Sequence, residues 1–115
     1  MSEFIGELKR THKAGELRAT DIGAEVVLMG WVGALRNHGG CLFVDVRDRT
    51  GFSQVRFDPA ISGPEELLLA EKLRLEDVVG ARGKVVSRGA NVNPRIPTGE
   101  VEVEGIRLVR YSAAQ

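Results

Sequence analysis

Two short segments of the chain alternate in side-chain character, and one of their two faces carries groups that can stack on or bond to a nucleic-acid base. The alternation over residues 42–47 and 52–57 is typical of strands that place one face on a core. The other face is predicted to hold two aromatic rings, an amide and three charged groups: Phe43, Asp45, Arg47, Phe52, Gln54 and Arg56. Such a set can hold unstacked, single-stranded bases.

The turn between the two segments determines which side chains meet. Asp48-Arg49-Thr50-Gly51 has the composition of a hairpin turn. Pairing its first residue with its last places Phe43 opposite Arg56. The same register places Asp45 opposite Gln54, with Phe43 diagonal to Gln54. The other face of the hairpin is predicted to line a core: Leu42, Val44, Val46, Val55 and Phe57.

The rest of the chain supplies elements that can position this hairpin. The pattern predicts strands over 25–35, 78–88 and 99–111, and a helix over 65–73 that follows Pro64. Trp31 alternates with Met29 between valines, so we assign it to the core. Three strands, a helix and two strands is the order of the OB-fold. This all-β fold is a five-stranded Greek-key barrel with one short helix between strands three and four.

Length and composition limit the function classes. At 115 residues the chain fits a single domain, with residues 1–13 as a loose arm or early edge segment and 112–115 as a hinge or tail. Sixteen basic residues balance 16 acidic ones, which argues against a non-specific nucleic-acid coat protein. No apolar run is long enough to span a membrane, and the single Cys41 fits a cytoplasmic protein. No spacing of ligands suits a metal, and no nucleophile–base pair suggests catalysis.

A series of motifs makes the sequence more specific than its fold. They are Gly30-Trp31-Val32, Arg36-x-His38-Gly39-Gly40, Phe43-x-Asp45-x-Arg47-Asp48-Arg49-x-Gly51, Gln54-Val55, Phe57-Asp58-Pro59 and Asn93-Pro94-x-x-Pro97-Thr98-Gly99-Glu100-x-Glu102. In order and spacing they resemble the N-terminal anticodon-binding domain of bacterial aspartyl-tRNA synthetases over nearly the whole chain. The asparaginyl and lysyl enzymes of the same class share the fold and the Phe/Gln pair, but fewer of these motifs.

The resemblance implies that the domain binds the anticodon loop of tRNA(Asp), whose anticodon bases are G, U and C. Phe43 would stack on the central uridine, and Gln54 would hydrogen-bond to its edge. Glu102 would accept hydrogen bonds from the first-position G, and Arg36 would contact the third base or a nearby phosphate. The remaining predicted RNA contacts lie on the same face or beside the RNA backbone: His38, Arg56, Arg88, Asn91 and Asn93.

The same resemblance implies what the chain lacks. The family's catalytic domain, which binds ATP, Mg²⁺ and aspartate, is absent from this sequence, so we expect no catalytic residue and no cofactor in the chain itself. The parent enzyme would be a homodimeric, cytoplasmic aspartate–tRNA ligase, and the isolated domain a monomer. His38 stands where the family varies between His and Leu. The histidine resembles the relaxed type that also accepts tRNA(Asn).

One departure from the family keeps an alternative open. Gly33-Ala34-Leu35 stands where family members often carry two or three basic residues. Together with the zero net charge, this favours a free-standing or repurposed OB-fold module that binds single-stranded nucleic acid or a protein partner. A steep salt dependence of RNA binding would separate the two hypotheses, since a protein ligand need not show it.

Overall fold

Five strands form a closed barrel in a computed structural model that describes residues 8–112. The strands are β1 (Glu25–His38), β2 (Cys41–Asp48), β3 (Gly51–Phe57), β4 (Val78–Ser87) and β5 (Val101–Ser112). Their order around the barrel is β1-β2-β3-β5-β4, with β3 and β5 parallel and the other neighbours antiparallel. The predicted OB-fold is therefore confirmed, including the helix α1 (Pro64–Lys72) between β3 and β4.

The helix α1 covers part of the barrel's core. Pro64 occupies its first turn, Glu65 and Glu66 favour its amino end, and Lys72 favours its carboxyl end. It packs against β5, β2 and β3, and it buries Ala70 among the apolar residues of the barrel. Within residues 8–112, no helix combines the length and apolar character that a membrane crossing requires.

The hairpin of β2 and β3 has the predicted register. Asp48 pairs with Gly51, Asp45 with Gln54, and Phe43 with Arg56. Of the predicted inner face, four side chains are fully buried and Leu42 is partly buried against them: Val44, Val46, Val55 and Phe57. The outward face of the hairpin is therefore the one that carries the aromatic, amide and charged groups.

The prediction for Trp31 was wrong. Leu28 and Val32 are buried in the barrel, and Trp31, of the opposite parity, is only half-buried on the outer face. It lies opposite Arg47 of β2, whose side chain is exposed. β1 is long enough to pair first with β4 and then with β2, and it carries a bulge between Val32 and Ala34. Its alternation is therefore a weak guide to which residues point inward.

Residues 8–15 lie along the barrel. Leu8 is buried, and the Thr11 amide donates to the carbonyl of Val27 on β1 over 3.0 Å. The Ala14 amide donates to the carboxylate of Asp48 over 2.8 Å. Residues 8–13 of the predicted arm therefore lie against the barrel without forming a strand, while residues 1–7 and 113–115 lie outside the described residues.

Candidate nucleic-acid interface

A groove of about 630 Å³ lies on the outer face of the hairpin, between the β1–β2 turn and the segment that joins β4 to β5. All of the predicted RNA-binding residues except Asn93 line this groove: Arg36, His38, Phe43, Gln54, Arg56, Arg88, Asn91 and Glu102. Asn37 and Cys41 line it as well. Residues far apart in the sequence are thus collected on one surface.

Phe43 provides an aromatic surface in this groove. It is half-buried, and its partners across the two ladders are Arg36 of β1 and Arg56 of β3. The ring is anchored by the strand that carries it and remains accessible from the groove. Stacking of a base on such a ring contributes about 1–3 kcal/mol to binding, whichever of the four bases is stacked.

The amide of Gln54 is held in one orientation by two charged neighbours. Its Oε1 accepts a hydrogen bond from Nη2 of Arg36 over 2.9 Å. Its Nε2 donates to Oε1 of Glu102 over 2.7 Å. Because the oxygen faces a cation and the nitrogen faces an anion, a flipped amide would lose both bonds. Gln54 therefore presents a fixed pattern of one remaining donor and one remaining acceptor site.

The carboxylate of Asp45 fixes the position of the Arg36 guanidinium. Its carboxylate oxygens accept hydrogen bonds from Nη2 and Nη1 of Arg36 over 2.7 and 3.3 Å. Asp45 is only 8% exposed, whereas the Arg36 side chain is 45% exposed. The paired geometry fixes the guanidinium plane and leaves its outer edge available to a ligand. The alternation of β2 predicts Asp45 on this face, but no local pattern predicts its role in holding Arg36.

Glu102 and Arg56 form the far side of the same network. Nε of Arg56 lies 2.9 Å from Oε2 of Glu102, and the guanidinium also bonds to Asp58 over 3.0 Å and Glu104 over 3.1 Å. Three carboxylates therefore surround one cation. Arg56 contributes mainly by fixing Glu102, and its own charge is largely balanced before any ligand arrives.

Arg88 reaches the groove from the end of β4. Its Nε donates to the carbonyl of Val101 over 3.0 Å. Burial lowers the pKa of the Arg88 guanidinium, the charges of Glu102 and Asp45 oppose that shift, and Arg36 adds to it. These mutual effects show that Arg88 belongs to the same charged cluster as the groove-lining carboxylates.

Two loops close the ends of the groove. The β1–β2 turn uses Gly39 and Gly40 at φ of 61° and 85°, values that favour glycine, and it leaves His38 exposed. Asn91 ends a short 3₁₀ turn (Gly89–Asn91) on the other side, where it is exposed. Asn93 does not line the groove. Its Oδ1 accepts from the amide of Arg95 over 3.0 Å, so it shapes the loop instead.

The arrangement of the groove suits recognition of a ligand. Among residues 8–112, no group of three or more His, Cys, Asp or Glu side chains could hold a metal ion. What the groove offers is an aromatic ring, an oriented amide, a half-exposed guanidinium and a partly shielded carboxylate. These groups can stack on and hydrogen-bond to the planar, polar edges of nucleobases.

Comparisons with known proteins agree with this geometry. Residues 26–109 match the family model described as an OB-fold nucleic acid binding domain of the tRNA anticodon type. The chain is 55% identical over 115 residues to an aspartate–tRNA(Asp/Asn) ligase of Anaeromyxobacter dehalogenans, an alignment that covers 100% of this chain and 19% of that protein. The chain thus spans about a fifth of the length of this relative.

Solved structures show the same architecture. An asparaginyl-tRNA synthetase from Pyrococcus horikoshii superimposes with a TM-score of 0.79 at 28% identity, over 94% of this chain and 24% of that one. An OBody bound to hen egg-white lysozyme superimposes with a TM-score of 0.80 at 28% identity, over 92% of this chain and 96% of that one. The barrel therefore occurs both within a synthetase and as a small binding protein.

Proposed function

Because this chain belongs to the OB-fold nucleic acid binding domains of the tRNA anticodon type, we propose that its groove binds the anticodon loop of tRNA(Asp). The observation that carries the proposal is the fixed Gln54 amide beside the accessible ring of Phe43. A ring that holds a base by its face and an amide that meets its edge together supply affinity and selectivity.

Each groove residue has a defined task in this proposal. Phe43 stacks on the central uridine of the anticodon, and Gln54 bonds to that base through its remaining donor and acceptor sites. Glu102 accepts hydrogen bonds from the first-position G, which carries an exocyclic amine and a ring N–H. The exposed edge of Arg36 faces the third base or its phosphate.

The relatives also support a proposal for a parent protein that carries this domain. We infer that the domain serves a cytoplasmic aspartate–tRNA ligase, in which a separate catalytic domain binds ATP, Mg²⁺ and aspartate and charges the tRNA. That enzyme would be a homodimer, and the domain alone a monomer. His38 at the rim of the groove, together with the Asp/Asn designation of the relative, supports acceptance of tRNA(Asn) as a second substrate.

The proposal is tested by titrating the domain with a labelled anticodon stem–loop bearing G, U and C, and with one whose central U is replaced by A. We expect tighter binding of the native loop, with the affinity lost in Phe43→Ala and the preference for U lost in Gln54→Ala. Leu68→Ala is the matched control, because Leu68 is an exposed apolar residue of α1, 57% accessible. Equal binding of both loops, or no binding at low salt, would contradict anticodon recognition.

A second candidate is a protein partner on the same groove, favoured by the likeness to an OBody bound to lysozyme. The balanced charge of the chain and the uncharged Gly33-Ala34-Leu35 segment also fit a protein ligand. The salt dependence of binding separates the two candidates. Affinity for an RNA loop falls steeply as salt rises, whereas a protein complex at this groove need not respond in that way.

A further inference from the structure

A second row of aromatic and guanidinium side chains crosses the outer face of the barrel beyond the groove. Trp31 of β1 pairs with Arg47 of β2, and Arg47 pairs with Phe52 of β3. Side chains directly opposite each other in a sheet share a face, so these three residues, here named the second row, face outward together. The Arg47 guanidinium lies 6.0 Å from the centre of the Phe52 ring.

The second row continues the surface that holds Phe43. Arg47 lies four positions after Phe43 along β2, a rise of about 13 Å. Stacked nucleotides of one strand rise about 3.4 Å each, so that distance corresponds to roughly four nucleotides. Gly33 of β1 places no side chain beside Arg47, where an added Cβ would lie in ordinary contact, 3.5 Å from Nε of Arg47. An RNA segment seated on Phe43 can therefore extend to the second row.

Three exposed cations surround this end of the face. A cavity of about 390 Å³ beside Trp31 is lined by three exposed cations, Arg10, Lys13 and Arg49. Among the described residues, none of the three forms a salt bridge. The groove differs in this respect, because the guanidinium of Arg56 is already surrounded by carboxylates.

Among the described residues, Asp48 is the one carboxylate that lines this cavity, and its oxygens already accept hydrogen bonds from the protein. Asp48 accepts hydrogen bonds from the amides of Ala14 and Thr50, each over 2.8 Å, and from the Thr50 hydroxyl over 2.6 Å. Burial raises the pKa of Asp48, but these bonds and the charge of Arg10 outweigh burial and lower it overall. Asp48 thus organises the turn, and the three cations keep most of their attraction for an external anion.

We propose that the second row and the three cations beside it bind the sugar–phosphate backbone of RNA that flanks the bases held in the groove. The inference rests on the proposed anticodon function and extends the contact surface. The cations neutralise phosphates, and Trp31 and Phe52 contact sugars or bases without selecting a sequence. This surface adds affinity, while the groove adds selectivity.

Trp31 is the only tryptophan in the chain, so its fluorescence reports directly on this surface. The test titrates the domain with the anticodon stem–loop and follows both RNA anisotropy and Trp31 emission. The variant Arg10→Gln/Lys13→Gln/Arg49→Gln is compared with Lys72→Gln/Arg74→Gln/Lys84→Gln. The second variant removes the same charge from exposed positions elsewhere on the barrel.

We expect the native loop to change Trp31 emission as it saturates the domain. The first variant should weaken binding about tenfold at low salt and reduce the slope of log affinity against log salt by about 2, since each neutralised phosphate contributes about 0.7. The preference for the central U should remain, because the groove is intact. The control variant should match the unmodified chain in slope and emission.

Two results separate failure of this inference from failure of the proposed function. In the first result, the RNA stem–loop binds with its preference for the central U, Trp31 emission stays constant, and the two triple variants bind alike. The proposed contact between RNA and the second row is then wrong, and anticodon recognition stands. If no RNA binds by either readout, the anticodon function fails and this inference fails with it.

Discussion

The side-chain amide of Gln54 and the carboxylate of Glu102 are joined by a 2.7 Å hydrogen bond between β3 and β5. This bond links the residue assigned to the central base with the residue assigned to the first base. The two groups proposed to contact bases are thus already oriented before RNA arrives. Such preorganisation reduces the entropy lost on binding, because fewer rotamers must be fixed.

Glu102→Gln tests that linkage. The substitution removes the charge that balances Arg56 and weakens the bond that orients Gln54, while the side chain keeps its size. We expect the affinity for a loop with first-position G to fall by about 1–3 kcal/mol, the usual cost of losing a paired base contact. A loop with first-position A should lose less. A uniform loss across both loops would show that Glu102 acts on folding or general electrostatics alone.

Asp45→Asn tests whether Asp45 positions the site through Arg36. Because Arg36 is 45% exposed, solvent screening limits the stability cost to about 1 kcal/mol or less. We expect a larger effect on the preference for U over A at the central position, since Arg36 orients the Gln54 oxygen. The measurement is a double-mutant cycle with Arg36→Ala, scored on that preference. Full additivity of the two changes would rule out this route.

Two phenylalanines of one hairpin are expected to respond in opposite ways to truncation. Phe57 is fully buried against Gly105, where an added Cβ would lie 2.5 Å from its ring. Phe57→Ala should therefore cost about 3–5 kcal/mol of unfolding free energy. Phe43→Ala should cost far less stability but about 1–3 kcal/mol of RNA binding. Denaturant titration and RNA titration of both variants check this, and a similar stability loss in both would contradict the assigned faces.

The contrast between these rings was predictable from sequence, whereas the position of Trp31 was not. A turn of four residues and clear alternation specify the register of β2 and β3, and with it the outward face that holds Phe43 and Gln54. In β1, which changes partner from β4 to β2, the consecutive residues Val26, Val27 and Leu28 are all buried, so the pattern before Trp31 does not show which parity faces inward.

Two of the three carboxylates around Arg56, those of Glu102 and Glu104, come from a strand far away in the sequence, so no local sequence pattern predicts these contacts. Arg56 meets Glu104 because β3 and β5 run parallel, with Val55 beside Val103, across nearly half of the chain. Glu102 and Glu104 alternate with Val101 and Val103, a pattern that is also typical of the solvated side of a strand. Only barrel closure brings them to the guanidinium. The position of Asn93 outside the groove was not predictable either. Its side chain bonds to the amide of Arg95 within the long loop between β4 and β5, and the conformation of that loop is not determined by a local pattern.

The stability of the fold is expected to depend on pH through the carboxylate of Asp48. Burial raises its pKa, but hydrogen bonds from Thr50 and Ala14 and the charge of Arg10 lower it overall. The folded state therefore binds this proton less tightly than the unfolded chain, whose pKa is near 3.9. The stabilisation is present above about pH 5 and is lost as pH falls through the lower folded value.

Asp48→Asn should therefore melt below the unmodified chain at pH 7, because Asn offers one acceptor where the turn uses two. The difference in melting temperature should narrow as pH falls from 5 to 3, since the carboxylate of the unmodified chain becomes protonated there. Glu71→Gln, at an exposed position of α1, is the control and should show no such narrowing. A constant difference for Asp48→Asn across this range would mean that the hydrogen bonds of the turn, and not the charge they stabilise, account for its contribution to the barrel.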